Sequence, residues 1–209
     1  MRKELQSYIE KEIMPCYESF DKAHGISHVK QVVEQSLTLA QHYDVDVEMV
    51  YTIAAYHDTG LCRGRERHHI ISGEILMADR YLRTLFTPEQ LDIMREAVED
   101  HRASSDHAPR SIYGRIVAEA DRCIEPMTII RRTVQYSLSH YPTLDREGHF
   151  ERCTEHIEQK YGRNGYLKLW IPESDNASRL ESLRQIAETP PLLRRLFDRI
   201  FSEEQEDVQ

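Results

Sequence analysis

An all-α fold is what this chain predicts, and two observations carry the prediction. Apolar residues recur at three- and four-residue spacing along most of its 209 residues, and no stretch alternates convincingly with period two. Residues that cap or stop helices stand at the ends of those runs, as at Ser27, Gly60, Thr87-Pro88 and Pro190-Pro191.

The first helix follows from Leu5, Tyr8, Ile9 and Ile13 on one stripe, which Pro15 disturbs or ends. The second is expected from a Ser27 N-cap, with Val29, Val32, Val33, Ser36, Leu37 and Ala40 at helical spacing, so that His28 sits in its first turn. A third, capped from Asp44 or Asp46, brings Val47, Val50, Tyr51, Ala54, His57 and Asp58 to one side and stops at Gly60. Leu61 to Arg67 reads as a polar, basic loop. From His69 a helix runs through Ile71, Ile75, Ala78 and Leu82; its second side carries His69, Ser72, Gly73 and Leu76, small residues that could let the backbone approach a ligand. Thr87 caps the next helix with Pro88 at its first position, and His101 continues inward the apolar face of Leu91, Met94, Ala97 and Val98.

After a loop over 102–111, the residues Tyr113, Ile116, Val117, Ala120, Asp121 and Ile124 share a face. A carboxylate on such a stripe is costly unless a cation or donors meet it. Beyond Pro126, helices are expected from Ile129 to Leu138 and from about Gly148 to Tyr161, followed by a turn at Gly162-Arg163-Asn164-Gly165 and a short apolar piece ending at Pro172. The last helix begins after Pro190-Pro191 with Leu192, Leu193, Leu196, Phe197, Ile200 and Phe201 as its seam, and the acidic residues from Ser202 onward are expected to fray. That seam needs a partner, either the bundle or a second copy in a homodimer. The organisation expected is a core over 1–125 and a helical C-terminal extension over 126–209 packed on it.

Hydrophobic residues at 40% and charged residues at 30% suit a globular chain, and no apolar run reaches the roughly 20 residues of a membrane helix. The N-terminus turns polar at once, and Cys16, Cys62, Cys123 and Cys153 form no Cys-x-x-Cys pair, so a cytoplasmic location with reduced thiols is expected. A net charge of −9 argues against nucleic acid and anionic membrane as partners.

The residues that carry chemistry stand in a fixed order: His28 opening a helix, His57-Asp58 closing one, His68-His69 at a loop exit, and Asp121 within Glu119-Ala120-Asp121-Arg122. Imidazoles and carboxylates converging from separate helices are what a borderline or hard divalent cation accepts. The order His, His-Asp, Asp, with the flanks His24-Gly25-Ile26-Ser27-His28, Ala54-Ala55-Tyr56-His57-Asp58-Thr59-Gly60 and Ala120-Asp121, resembles the HD-domain superfamily of metal-dependent phosphohydrolases over about residues 21 to 125.

The resemblance implies an all-α HD-domain helical bundle in which His28, His57, Asp58 and Asp121 ligate a metal, with His57 and Asp58 at the catalytic centre. Some HD families hold a second metal with two further histidines. His69, which precedes Ser72-Gly73-Glu74, and His101 fit that version. One or two ions are implied, of manganese, iron, zinc, cobalt, nickel or, less suited to imidazole, magnesium. Such an ion lowers the pKa of bound water from about 15.7 toward 7, and Asp58 is the natural bridge between two. Phosphoryl oxygens need cations, for which Arg63, Arg65 and Arg67 are the first candidates, then Lys30, Arg102 and Arg122, while His24 lines the pocket.

The implied activity is hydrolysis of a phosphomonoester or phosphodiester of a nucleotide-like small molecule. The His-Asp-x-x-Glu-Asp element of guanosine tetraphosphate hydrolases and the glycine-tyrosine-proline signature of cyclic di-GMP phosphodiesterases are both absent. Two alternatives stay open: a non-catalytic nucleotide-binding module, and a di-iron HD-type oxygenase.

Overall fold

The structure, a computed structural model, describes residues 1–21 and 24–206. Among the described residues there are eleven α-helices and no strand, as the periodicity predicts. The chain divides into two compact units, residues 1–123 with 170–174, and residues 124–169 with 175–209.

The first unit contains α1 (Lys3–Tyr8), α2 (Ile26–Ala40), α3 (Val47–Tyr56), α4 (His68–Ala78), the short α5 (Leu82–Leu85), α6 (Pro88–Glu99) and α7 (Ile112–Arg122). After α1 the chain continues as a π-helical turn, Ile9–Ile13, and a 3₁₀ segment, Met14–Ser19, in which Pro15 occupies the first turn where its missing N–H costs nothing. α2 starts one residue before the expected Ser27 cap: Gly25 is the N-cap and Ser27 lies exposed within the helix. Asp46 caps α3 through the Glu48 amide, and Thr87 and Gln90 form a reciprocal capping box on α6.

Every residue of α3 from Met49 to Tyr56 is buried, which makes it the central helix; α2 and α6 pack against it, α7 against α2 and α6, and α4 against α6. This arrangement points the C-terminal end of α3 into the bundle interior.

Two expectations about α4 need correction. The helix stops at Ala78 instead of running to Leu82, because Asp79 leaves the helical conformation. The Asp79 carboxylate accepts hydrogen bonds from the hydroxyls of Tyr8 (2.7 Å) and Tyr56 (2.5 Å) and from the amides of Tyr81 and Leu82. The small side, Ser72 and Gly73, serves packing. The Ser72 hydroxyl accepts from the Gly60 amide at 2.8 Å, and a Cβ on Gly73 would meet the side chains of Arg95 and Glu99 on α6.

Gly60 also acts differently from the helix stop expected. It belongs to a 3₁₀ segment, Thr59–Arg63, and a Cβ there would lie 2.1 Å from the His68 carbonyl oxygen and 2.6 Å from the Ser72 amide. Glycine is required for close approach, not for a left-handed turn. The left-handed glycine is Gly64, at φ 102°, where the segment ends.

The second unit contains α8 (Pro126–His140), α9 (Arg146–Tyr161), α10 (Asn176–Ala187) and α11 (Pro190–Glu206). Leu193, Phe197, Ile200 and Phe201 of α11 are buried with Ile130 and Val134 of α8 and Leu183 of α10. The seam's partner is therefore its own unit. α11 stays helical through Glu206, where fraying was expected, because Glu203 and Glu204 both pair with Arg131 at 2.5 Å; residues 207–209 lie outside the described ones. α10 has no counterpart in the sequence reading.

Candidate metal centre

His57 still holds helical dihedrals at the end of α3, whereas Asp58 departs to φ −110° and ψ 5°. Neighbours inside a helix diverge by about 100°, so this departure is what lets the two side chains converge, His57 Nε2 lying 3.3 Å from Asp58 Oδ2. The ring of His57 is aimed by its other nitrogen, Nδ1, which contacts the Ala54 carbonyl at 2.8 Å. Tyr17, fully buried on the 3₁₀ segment after α1, donates its hydroxyl to the Ala55 carbonyl (2.9 Å) and accepts from the Asp58 amide (3.2 Å). It thereby satisfies backbone groups at the helix end and fixes where Asp58 leaves the chain.

Four of the expected side chains meet. His28 Nε2, from the first turn of α2, lies 3.2 Å from His57 Nε2, 3.7 Å from Asp58 Oδ2 and 3.2 Å from Asp121 Oδ1 on α7. Asp121 Oδ1 is 3.8 Å from His57 Nε2. The other oxygen of Asp58 faces a second set: Oδ1 lies 3.4 Å from His68 Nε2 and 3.4 Å from His101 Nε2, and these two nitrogens are 3.2 Å apart. His28, His57 and Asp58 make one group with the spacing of metal donors, and Asp58, His68 and His101 make another. Asp58 belongs to both.

His101 is where its apolar stripe predicts, but the fourth histidine is His68, not His69. α4 begins at His68, whose Nδ1 contacts the Arg65 carbonyl at 2.7 Å and so turns Nε2 inward. A helix then carries His69 about 100° away, and its Nδ1 is buried without a hydrogen-bond partner among the described residues. One signal could have chosen between them: His68, Ser72 and Leu76 stand four apart, and Ser72 and Leu76 are fully buried.

Burial works against charge at this centre, and the charges overcome it. Burial alone would lower the pKa of His57, yet the carboxylates of Asp58 and Asp121 raise it to about 9. Burial would raise Asp58, but His57 and His101 hold it well below the usual carboxylate range, and Asp121 is lowered in the same way by His28 and His57. Burial and the neighbouring His101 lower His68, and burial takes His69 down to about 4. Such opposition between imidazoles and carboxylates is resolved by a cation, which both ligand types accept once the imidazoles are neutral. The donor set, nitrogen and oxygen without thiolate, fits a divalent transition ion.

The expected cations divide. Arg122, its side chain almost wholly buried, donates to the His101 carbonyl at 2.9 Å and lies 3.9 Å from Asp121 Oδ2. Arg65 reaches His24, at 3.4 Å from its Nε2, and His24 stands beside His28 with ring centroids 5.9 Å apart and Nδ1 2.8 Å from Asp21. Arg63 and Arg67 are exposed, and their side chains form no hydrogen bond or ion pair with a described residue. Lys30 is exposed, two positions beyond His28 and so about 200° round the helix, away from the donors. Arg102 donates to the Glu66 carbonyl. Glu99 and Asp100 do not orient His101, whose Nδ1 contacts the Val98 carbonyl at 2.6 Å; both carboxylates bind Arg110 instead.

The family model described as HD domain matches residues 25–125. This segment is an HD domain. It spans the stretch that supplies His28, His57-Asp58, His68, His101 and Asp121, and the HD family is one of metal-dependent hydrolases. Comparison with curated proteins and with solved structures finds no match. Glu119, two residues before Asp121 in the HD domain, is fully buried. It accepts from the amides of Trp170 (2.6 Å) and Ile171 (3.4 Å) and from the Ser174 hydroxyl, fastening residues 170–174 to α7. No helix among the described residues is long and apolar enough to cross a membrane, and none of the four cysteines is in a disulfide.

Proposed function

We propose that the chain is a cytoplasmic, metal-dependent phosphohydrolase that cleaves a phosphomonoester or phosphodiester of a nucleotide-like small molecule. The observation that carries this reading is the sharing of one carboxylate: Asp58 presents Oδ2 to His28 and His57 and Oδ1 to His68 and His101. Two donor groups on either side of one side chain suit a pair of divalent ions better than one. His28, His57, Asp58 and Asp121 would hold the first ion, and Asp58, His68 and His101 the second. An ion so held supplies a water whose pKa falls toward 7, so that hydroxide is available at neutral pH.

The remaining work falls to protein groups. Tyr17 and the Ala54 carbonyl keep Asp58 and His57 in place, and burial shields His28, His57, Asp58 and His101 from bulk water. Arg122 offers a fixed positive charge beside Asp121, and Arg65 with His24 offers a second beside His28. Both are suited to neutralise phosphoryl oxygens as charge develops.

The test is elemental analysis of the purified full chain, followed by turnover assays with manganese added, reading phosphate release from phosphomonoesters and formation of the alcohol and phosphomonoester products from phosphodiesters. Bound transition metal and turnover that disappears in Asp58→Ala are expected. Metal-loaded protein that turns over none of the panel would overturn the hydrolase reading.

A further inference from the structure

A cleft of about 630 Å³ opens in the first unit beside the donor group of Asp58, His68 and His101. Its volume lies inside the roughly 300 to 1,000 Å³ typical of small-molecule sites. Two of its lining residues follow donors directly in the chain, His69 after His68 and Arg102 after His101. The rings of His68 and His69 are 5.5 Å apart, so the cleft wall begins one side chain away from the donors.

The charges of its walls cancel. Glu99 and Asp106 face Arg102 and Arg110, and both arginines are already engaged. Arg110 binds Asp100 through Nε at 3.0 Å and Glu99 through a terminal nitrogen at 2.8 Å, while Arg102 donates to the Glu66 carbonyl. Arg110 is thus neutralised by carboxylates, whereas Arg102 is held by a neutral carbonyl. What remains uncommitted is neutral or accepting: the hydroxyls of Ser104 and Ser105 and the carboxylate of Asp106 bond to no described residue. The walls carry no aromatic side chain other than the imidazoles of His69 and His107, and only Ile70 and Ala108 are apolar, so an acyl chain or a large apolar ring would bury little against them. Free hydroxyls and a free carboxylate instead match a partner rich in hydroxyl and N–H groups.

We propose that this cleft binds the hydroxyl-bearing organic part, a sugar or nucleoside, of the phosphoester whose phosphate sits at the Asp58 centre. The inference rests on the phosphohydrolase reading for what occupies that centre. The recognising groups are Ser104, Ser105 and Asp106, which lie outside the metal-donor set.

The test is calorimetric binding of adenosine monophosphate, glucose 6-phosphate and inorganic phosphate to the manganese-loaded full chain, with Ser105→Trp and Ala108→Trp filling the cleft from two points of its loop wall. At least one organic phosphate is expected to bind about tenfold tighter than inorganic phosphate. That advantage should vanish in the tryptophan variants while their metal content and their inorganic phosphate binding stay unchanged. The inference is overturned if neither organic phosphate exceeds inorganic phosphate, if no probe binds, or if both filled variants keep the advantage. Failure of the hydrolase reading looks different: the organic phosphate keeps its advantage but is never turned over.

Discussion

Replacing His68 and His69 in turn separates two assignments that one residue of register divides. His68→Ala removes one of three donor atoms lying 3.2 to 3.4 Å from one another and leaves only Asp58 Oδ1 and His101 Nε2. Loss of a partner merely supporting a metal ligand costs about 10- to 100-fold in affinity, so loss of a donor itself should cost at least ~100-fold, or about 2.7 kcal/mol. The contact of His68 with the Arg65 carbonyl is worth about 1 kcal/mol to folding, too little to unfold the domain. The other set, His28, His57, Asp121 and Asp58 Oδ2, is untouched. His69→Ala deletes a ring whose Nδ1 has no partner. Metal content measured by elemental analysis after dialysis should therefore fall by one ion per chain in His68→Ala and not at all in His69→Ala. The reverse outcome would refute the argument from helix phase, and an equal loss in both would refute the separation of the two groups.

Four further outcomes are expected. In metal-free protein, His57 keeps its proton up to pH about 9 against an ordinary value of 6.5, which stabilises the fold fully below 6.5, by roughly 3 kcal/mol, and is lost as pH rises through 9. Asp58 and Asp121, held low, stabilise above the ordinary carboxylate pKa of about 3.9 and lose this as the medium acidifies, so urea midpoints of metal-free protein should peak between about pH 4 and 6.5. Metal loading must displace the His57 proton, and a titration below pH 9 that releases none contradicts this. Tyr17→Phe strands the buried Asp58 amide at a cost of about 1 to 3 kcal/mol and should weaken metal binding; unchanged chemical denaturation and metal affinity would exclude a positioning role. Gly60→Ala drives a Cβ to 2.1 Å from the His68 carbonyl, so the 3₁₀ segment and α4 must separate, and a loss of stability of about 1 to 3 kcal/mol together with lost His68-side metal is expected on thermal unfolding and elemental analysis.

Much of the metal centre is legible in the linear chain because its donors sit on periodic apolar stripes. Met94, Ala97 and Val98 point His101 inward, and Val117 and Ala120 carry Asp121 with them. A polar residue in phase with a buried stripe must be met by a partner, so phase alone marks it as a candidate. The same rule fails at helix ends, where phase is undefined: it chose His69 because it began α4 one residue late, and it placed a cap at Ser27 where Gly25 serves. Small residues mislead similarly. Gly60, Ser72 and Gly73 look like room for a ligand, yet their space is filled by α4 and α6.

The amino-acid order by itself determined the helical class, the residues able to become donors and the HD-domain character of residues 25–125, since periodicity, residue chemistry and motif order are all properties of the linear chain. Which donors meet was settled only in three dimensions. The hydroxyl of Tyr17 that receives the Asp58 amide lies 41 residues from it, and the carboxylate that His68 meets lies 10 residues from it, and such distant contacts leave no periodic trace along the chain.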